Sequence, residues 1–161
     1  MAVVLVEGVT DRIALEAVAR KLALDLDGIE IVPIGGAQAV RRAAAEYDGD
    51  RVVGLCDYGE ERYFRRVLGD STYVCDKDLE DELIRALGVD RVQEVVDTQG
   101  ELETFRQFQQ QLYWRERPIE HQLRRWLQNG GRHHRYPPLL VEAMKPEEIP
   151  RPLVDVLTIK P

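Results

Sequence analysis

The chain has 161 residues, 44% hydrophobic and 32% charged, with a net charge of −7. That length fits one domain, with or without a small appendage, and is enough to bury a core. The acidic balance excludes a domain that is basic throughout and grips nucleic acid over its whole surface. The apolar run at the start is too short to span a membrane and lacks a basic flank and a cleavage site. No membrane association is therefore expected, and the cytoplasm is the default compartment. The charge is uneven: residues 1–101 carry 22 acids and 12 bases, whereas residues 102–145 carry 4 acids, 8 bases and all three histidines. An acidic front followed by a basic segment suits clustered carboxylates beside a local phosphate-facing surface, or simply two solvated faces of opposite sign.

The first half alternates strand and helix. Val3–Val6 is an apolar, mostly β-branched run that stops on Glu7. Gly8 turns the chain, Thr10 is placed to cap a helix, and Asp11 falls in its first turn, where the helix dipole favours an acid. Ile29–Ile34 reads as a second strand, which Pro33 assigns to an edge or a strand end. Gly35-Gly36 leads into a helix over about 37–47. Arg51–Cys56 is a third strand ending on Asp57, followed by a helix over 61–68. Ser71–Cys75 is a fourth strand ending on Asp76, followed by a helix over 79–87. Strands that are apolar along their length and alternate with helices predict a parallel α/β sheet covered on both faces. Cys56 and Cys75 fit no metal or redox spacing and read as small buried hydrophobes.

After Asp90 the pattern is helical. Glu101–Leu112 and Ile119–Leu127 are amphipathic, Pro118 separates them, and RHHRYPP reads as a polar link before helices at 138–144 and 152–157. The expected organisation is an α/β domain over residues 1–100 and a helical C-terminal extension over 101–161, packed on it. Trp114 and Trp126 could then form a homodimer surface or pack on the sheet.

Acids recur at the carboxyl ends of three strands or just beyond: Glu7 and Asp11, then Asp57, then Asp76, Asp78, Glu80, Asp81 and Glu82. Parallel strands bring such ends to one edge, which is where open α/β sheets bind ligands. Several carboxylates together require a cation, and oxygen donors without Cys or His favour Mg²⁺ or Mn²⁺. Two such ions would suit attack on a phosphodiester. Each acid also has a plain reading, as a helix-start, turn or solvated residue. Glu7 resists it most, because glutamate seldom ends a wholly apolar strand.

VVLVEGVTDRIALE (Val3–Glu16) resembles the first motif of the Toprim domain. Together with IVPIGG and DLEDEL it looks most like the OLD-family nuclease branch, closely over residues 2–90 and loosely beyond. The resemblance implies a Toprim-like four-stranded parallel sheet and a metal-dependent nuclease acting on DNA, with RNA as the alternative substrate. It implies metal binding by Glu7, Asp11, Asp57 and Glu80, with Asp78 and Asp81 as helpers, and proton shuttling by Glu7. A later basic residue would stabilise the cleaved phosphate. Arg132 and Arg135 match best, with Lys145 and Lys160 as further candidates, and Arg124 and Arg125 would add phosphate contacts. Two departures stand out. Gly59 occupies the second acidic position of the family's DxD motif, where Glu60 or Glu61 could substitute. The chain also has no GxxxxGK[ST] phosphate loop, which implies a stand-alone form or one that pairs with a separate ATPase. The competing expectations are a catalytically degenerate Toprim module that binds nucleic acid or a partner protein, and a receiver-like phosphoacceptor using Asp57.

Overall fold

The computed structural model describes residues 1–160. Four strands, β1 (Ala2–Val6), β2 (Ile29–Pro33), β3 (Arg51–Asp57) and β4 (Thr72–Cys75), form one sheet in the order β2-β1-β3-β4. Every neighbouring pair is parallel. β1 is buried along its whole length. Its side chains alternate between two apolar clusters, as the pleat requires. Val4 and Val6 face one cluster, Val3 and Leu5 the other. β2 lies at an edge, where Pro33 costs no ladder bond.

The smaller layer holds α2 (Val40–Glu46) and α3 (Glu61–Leu68), with Val40, Ala43 and Phe64 packed under Leu5 and Cys56. Gly54, in the middle of β3, permits this close approach. A Cβ there would lie 2.6 Å from Phe64 Cδ1 and 2.7 Å from Leu68 Cδ1. Gly54→Ala should therefore push α3 off the sheet and cost about 1–3 kcal/mol, measured as a lower urea midpoint. An unchanged midpoint would mean that α3 is loosely seated.

The larger layer holds α1 (Val9–Lys21), α4 (Leu79–Leu87), α5 (Val89–Thr98), α6 (Leu102–Gln109), α7 (Ile119–Gln128), α8 (Arg132–Ala143) and α9 (Arg151–Leu157). Trp126 of α7, Leu140 of α8 and Leu153 of α9 join the same apolar cluster as Val4, Val6 and Leu55. Trp126 is thus buried rather than exposed, and Trp114 is half-buried against Phe108. Both cysteines are buried and unpaired. Burial pushes the Cys56 thiol up to about 12.

Two local expectations fail. Helix α1 starts on Gly8 rather than on a Thr10 cap, because the Asp11 carboxylate accepts the Gly8 N–H at 2.9 Å. The polar link RHHRYPP is helical, and α8 runs from Arg132 through Pro137 and Pro138. Prolines remove helical donors. Here the buried Tyr136 and Leu140, and the hold of Glu101 on the first turn of α8, outweigh that loss. Among the described residues, no helix is long and apolar enough to cross a membrane.

Candidate metal centre

Backbone geometry at the strand ends gathers the acids. Val6 is level with Leu55, and Asp57 with Cys75, so Glu7 and Asp57 leave adjacent strands at the same edge. The N–H groups of Gly35 and Gly36 both donate to the Glu7 carbonyl, at 3.0 and 3.2 Å. Both glycines have positive φ, +78° and +127°, which explains why this turn after β2 takes two of them. The Tyr58 N–H donates to the Lys77 carbonyl at 3.3 Å and ties the end of β3 to the turn after β4.

Electrostatics report the crowding. Burial, and then the charges of Asp11, Glu7, Asp78 and Glu80, push the Asp57 carboxyl up to about 8. Burial pushes Asp11 up to about 6, with Glu7 and Glu80 adding to the shift and the Gly8 N–H opposing it. Burial, seconded by Glu60, raises Glu7. Burial also raises Glu80, with Asp78 adding and Gln128 and Arg124 opposing. Each shift has the same cause, namely that a half-buried carboxylate among carboxylates resists ionisation. Glu7, Asp11, Asp57, Asp78 and Glu80 therefore lie within reach of one another's charge, and Asp81 enters none of these shifts.

Their individual roles differ. Asp78 caps α4, with Oδ1 accepting the Asp81 N–H at 2.9 Å. Its Oδ2 accepts from Arg124 Nε at 2.7 Å and Nη2 at 2.5 Å, and from Gln128 Nε2 at 3.2 Å. Glu80 accepts from Gln128 at 3.4 Å. Asp81 is held by Arg85 at 2.7 Å, and Glu82 takes the Asp76 N–H at 2.8 Å, so both are fixed by structural bonds rather than solvated. Of the two substitutes for the missing DxD acid, Glu61 pairs with Arg65 at 2.5 Å, whereas the charge of Glu60 is felt at Glu7. A side chain at Gly59 would meet no atom within 4 Å. Among the described residues, no three His, Cys, Asp or Glu side chains stand close enough together to hold a metal ion without moving.

Arg132 and Arg135 are both engaged by Glu101, whose carboxylate also accepts the Tyr136 hydroxyl at 2.8 Å. Burial works to raise Glu101, but the hydroxyl and the two guanidiniums outweigh it and hold the carboxyl below its ordinary value. Arg124 is the arginine that stands at the acids. Two polar neighbours went unread in the sequence. Gln128 follows Arg124 by one helical turn on the same face of α7, a spacing that could have revealed it. His134, whose Nδ1 lies 3.1 Å from Thr10 Oγ1, brings α8 to the start of α1 and gave no local signal.

A parallel sheet of this order, with acids beyond β1, β3 and β4 at one edge, is the architecture that the Toprim resemblance implies. Residues 1–48 match the family model described as Overcoming lysogenization defect protein-like, TOPRIM domain. The chain is similar to the C-terminal region of the Burkholderia pseudomallei OLD protein, at 16% identity and a TM-score of 0.67, over 97% of this chain and 94% of that one. It is also similar to the C-terminal region of the Xanthomonas campestris pv. campestris OLD protein, at 22% identity and a TM-score of 0.68, over 97% and 92% of the two chains. No curated protein matches it. The chain folds as an OLD-like Toprim domain, and the likeness extends through the helices after residue 100, where the sequence resemblance was loose.

Proposed function

We propose that this domain is a divalent-metal-dependent nuclease that cleaves DNA phosphodiester bonds. The observation that supports this reading is the placement of Glu7 and Asp57 at one sheet edge, with Asp11, Asp78 and Glu80 near enough for their charges to raise Asp57. Such crowding is relieved by hard cations, and an all-oxygen donor set fits Mg²⁺ or Mn²⁺. Glu7, Asp11, Asp57 and Glu80, with Asp78, would hold two ions. Bound there, the ions would polarise the phosphoryl oxygens and lower the pKa of water. Glu7, its own carboxyl raised, is suited to accept a proton and return it. Arg124 and Arg125 would position the phosphates. Arg132 and Arg135 pair with Glu101 and Arg124 with Asp78, but only Arg124 touches one of the proposed ligands, which makes it the better-placed charge.

Plasmid nicking tests this. Mg²⁺ or Mn²⁺ should support cleavage, and Glu7→Gln should lower it by roughly 10²–10⁴-fold. Cleavage that survives this substitution would sink the mechanism.

One observation favours a second reading, a degenerate module that binds nucleic acid or a partner such as a separate ATPase. Arg124 and Gln128 already satisfy Asp78 and touch Glu80. On that reading no metal supports nicking, although oligonucleotides still bind.

A further inference from the structure

Beside the acids lies a pocket of about 280 Å³ built entirely from the helical segment. Tyr113, Trp114 and Arg117, from the link between α6 and α7, form one side. His121, Arg124 and Arg125 of α7 form the other. The pocket is preorganised. Gln122, only 4% exposed, donates to the Trp114 carbonyl at 2.7 Å and accepts from Gln109 at 2.8 Å, which pins the link to both flanking helices. Tyr113 is 63% exposed, yet its ring has neighbours on two sides. The Arg117 guanidinium lies 4.6 Å from the ring centroid, and Trp114 meets Tyr113 edge-on at 4.9 Å. Among the described residues, Arg117, Arg125 and His121 have no acidic partner within 4 Å. The pocket also shares a wall with the metal centre, because its lining residues Arg124 and Gln128 reach Asp78 and Glu80.

Unpaired arginines around an exposed, braced aromatic ring make up the chemistry that receives a nucleotide with a free base. The cations take the phosphates, and the ring extends a stack with the base. In a duplex the base faces are covered by their neighbours, so only an unpaired strand can use the ring. We propose that this pocket binds a nucleotide of single-stranded DNA, with the base stacked on Tyr113 and the adjoining phosphates on Arg117 and Arg125. Arg124 then leads the strand towards the acids. The domain's substrate would be DNA with an unpaired end, flap or gap rather than intact duplex. This deepens the nuclease reading only in where the strand is cut, since binding itself does not depend on cleavage.

The test is fluorescence anisotropy of the full chain with labelled oligo-dT of about ten nucleotides, against a blunt duplex of equal length, in metal-free buffer. Oligo-dT should bind more tightly than duplex. Tyr113→Ala should weaken oligo-dT binding on the order of tenfold, while Tyr113→Phe keeps it. Arg117→Ala and Arg125→Ala should each weaken binding and lower the salt slope by about one. Equal affinity for duplex and single strand, or an unaffected Tyr113→Ala variant, overturns the proposal. So does an absence of binding. If oligo-dT binds as described and no metal supports nicking, the pocket stands and the nuclease reading fails. If nicking occurs and Tyr113→Ala changes nothing, the reverse holds.

Discussion

Asp57→Asn is expected to abolish most metal-dependent nicking and, at the same time, to stabilise the metal-free protein above neutral pH. Loss of one preorganised charge at a reacting centre commonly costs about 10²–10³-fold in rate. The gain in stability has a different origin. Burial, and then the neighbouring acids, raise the Asp57 carboxyl from 3.8 to about 8. The native protein thus holds a proton that the unfolded chain has already released. Its contribution to stability is complete below the unfolded value and is lost as pH rises through about 8. Asp11, raised to about 6, acts in the same direction over a lower window. Glu101 and Glu148, both lowered, act oppositely and lose their contributions only in acid. Between pH 6 and 9 the Asp57 effect acts in the same sense as those of Glu7 and Glu80, which the same burial and crowding raise.

In chelator, the melting temperature of the native chain should fall across that range, and that of Asp57→Asn should fall less steeply. Mn²⁺ at pH 8 should restore the native chain and leave the variant almost unmoved, because a ligand that binds only the folded state stabilises it. Parallel pH profiles for the two proteins would show that the crowding is relieved without a cation, and the metal centre would lose its main support.

What could be read in the sequence follows how local each cause is. β1, β3 and β4 were placed within a residue or two, because an apolar run ending on an acid needs no distant information. Helices α3 and α4 were also placed as observed. The edge position of β2 followed from Pro33. The failures lie where distant contacts decide. Two adjacent prolines argue against helix at 137–138, and only the burial of Tyr136 and the hold of Glu101, 31 and 35 residues away in sequence from Arg132 and Tyr136, reverse that. The acids of the candidate centre were legible as strand ends. The partner of Asp78 was not: Arg124 lies 46 residues further on, and only the docking of α7 against α4 brings them together. That contact sets Arg124 against Asp78, while Arg132 and Arg135 pair with Glu101.

Trp126→Ala should be among the most damaging single substitutions, and its effect should reach the sheet. Trp126 is 1% exposed and meets Phe105 and Tyr136 edge-on, at centroid distances of 5.4 and 5.7 Å. The Arg132 guanidinium closes its ring from 4.0 Å. Truncation leaves a cavity lined by large aromatics that cannot collapse into it, at a cost of about 3–5 kcal/mol. That is a large share of the roughly 5–15 kcal/mol that keeps a domain folded. Because Trp126 shares its apolar cluster with Val4, Val6 and Leu55, the loss should not be confined to α6, α7 and α8. Urea unfolding followed by circular dichroism and by the fluorescence of Trp114 should show one coincident transition at a much lower midpoint, with Trp126→Phe between the variant and the native chain. Two separated transitions, with Trp114 reporting first, would mean that the helical segment melts as its own unit. In that case Arg124 and Gln128 would reach the acids only by the docking of one unit on another, and any nuclease activity would follow the stability of that docking.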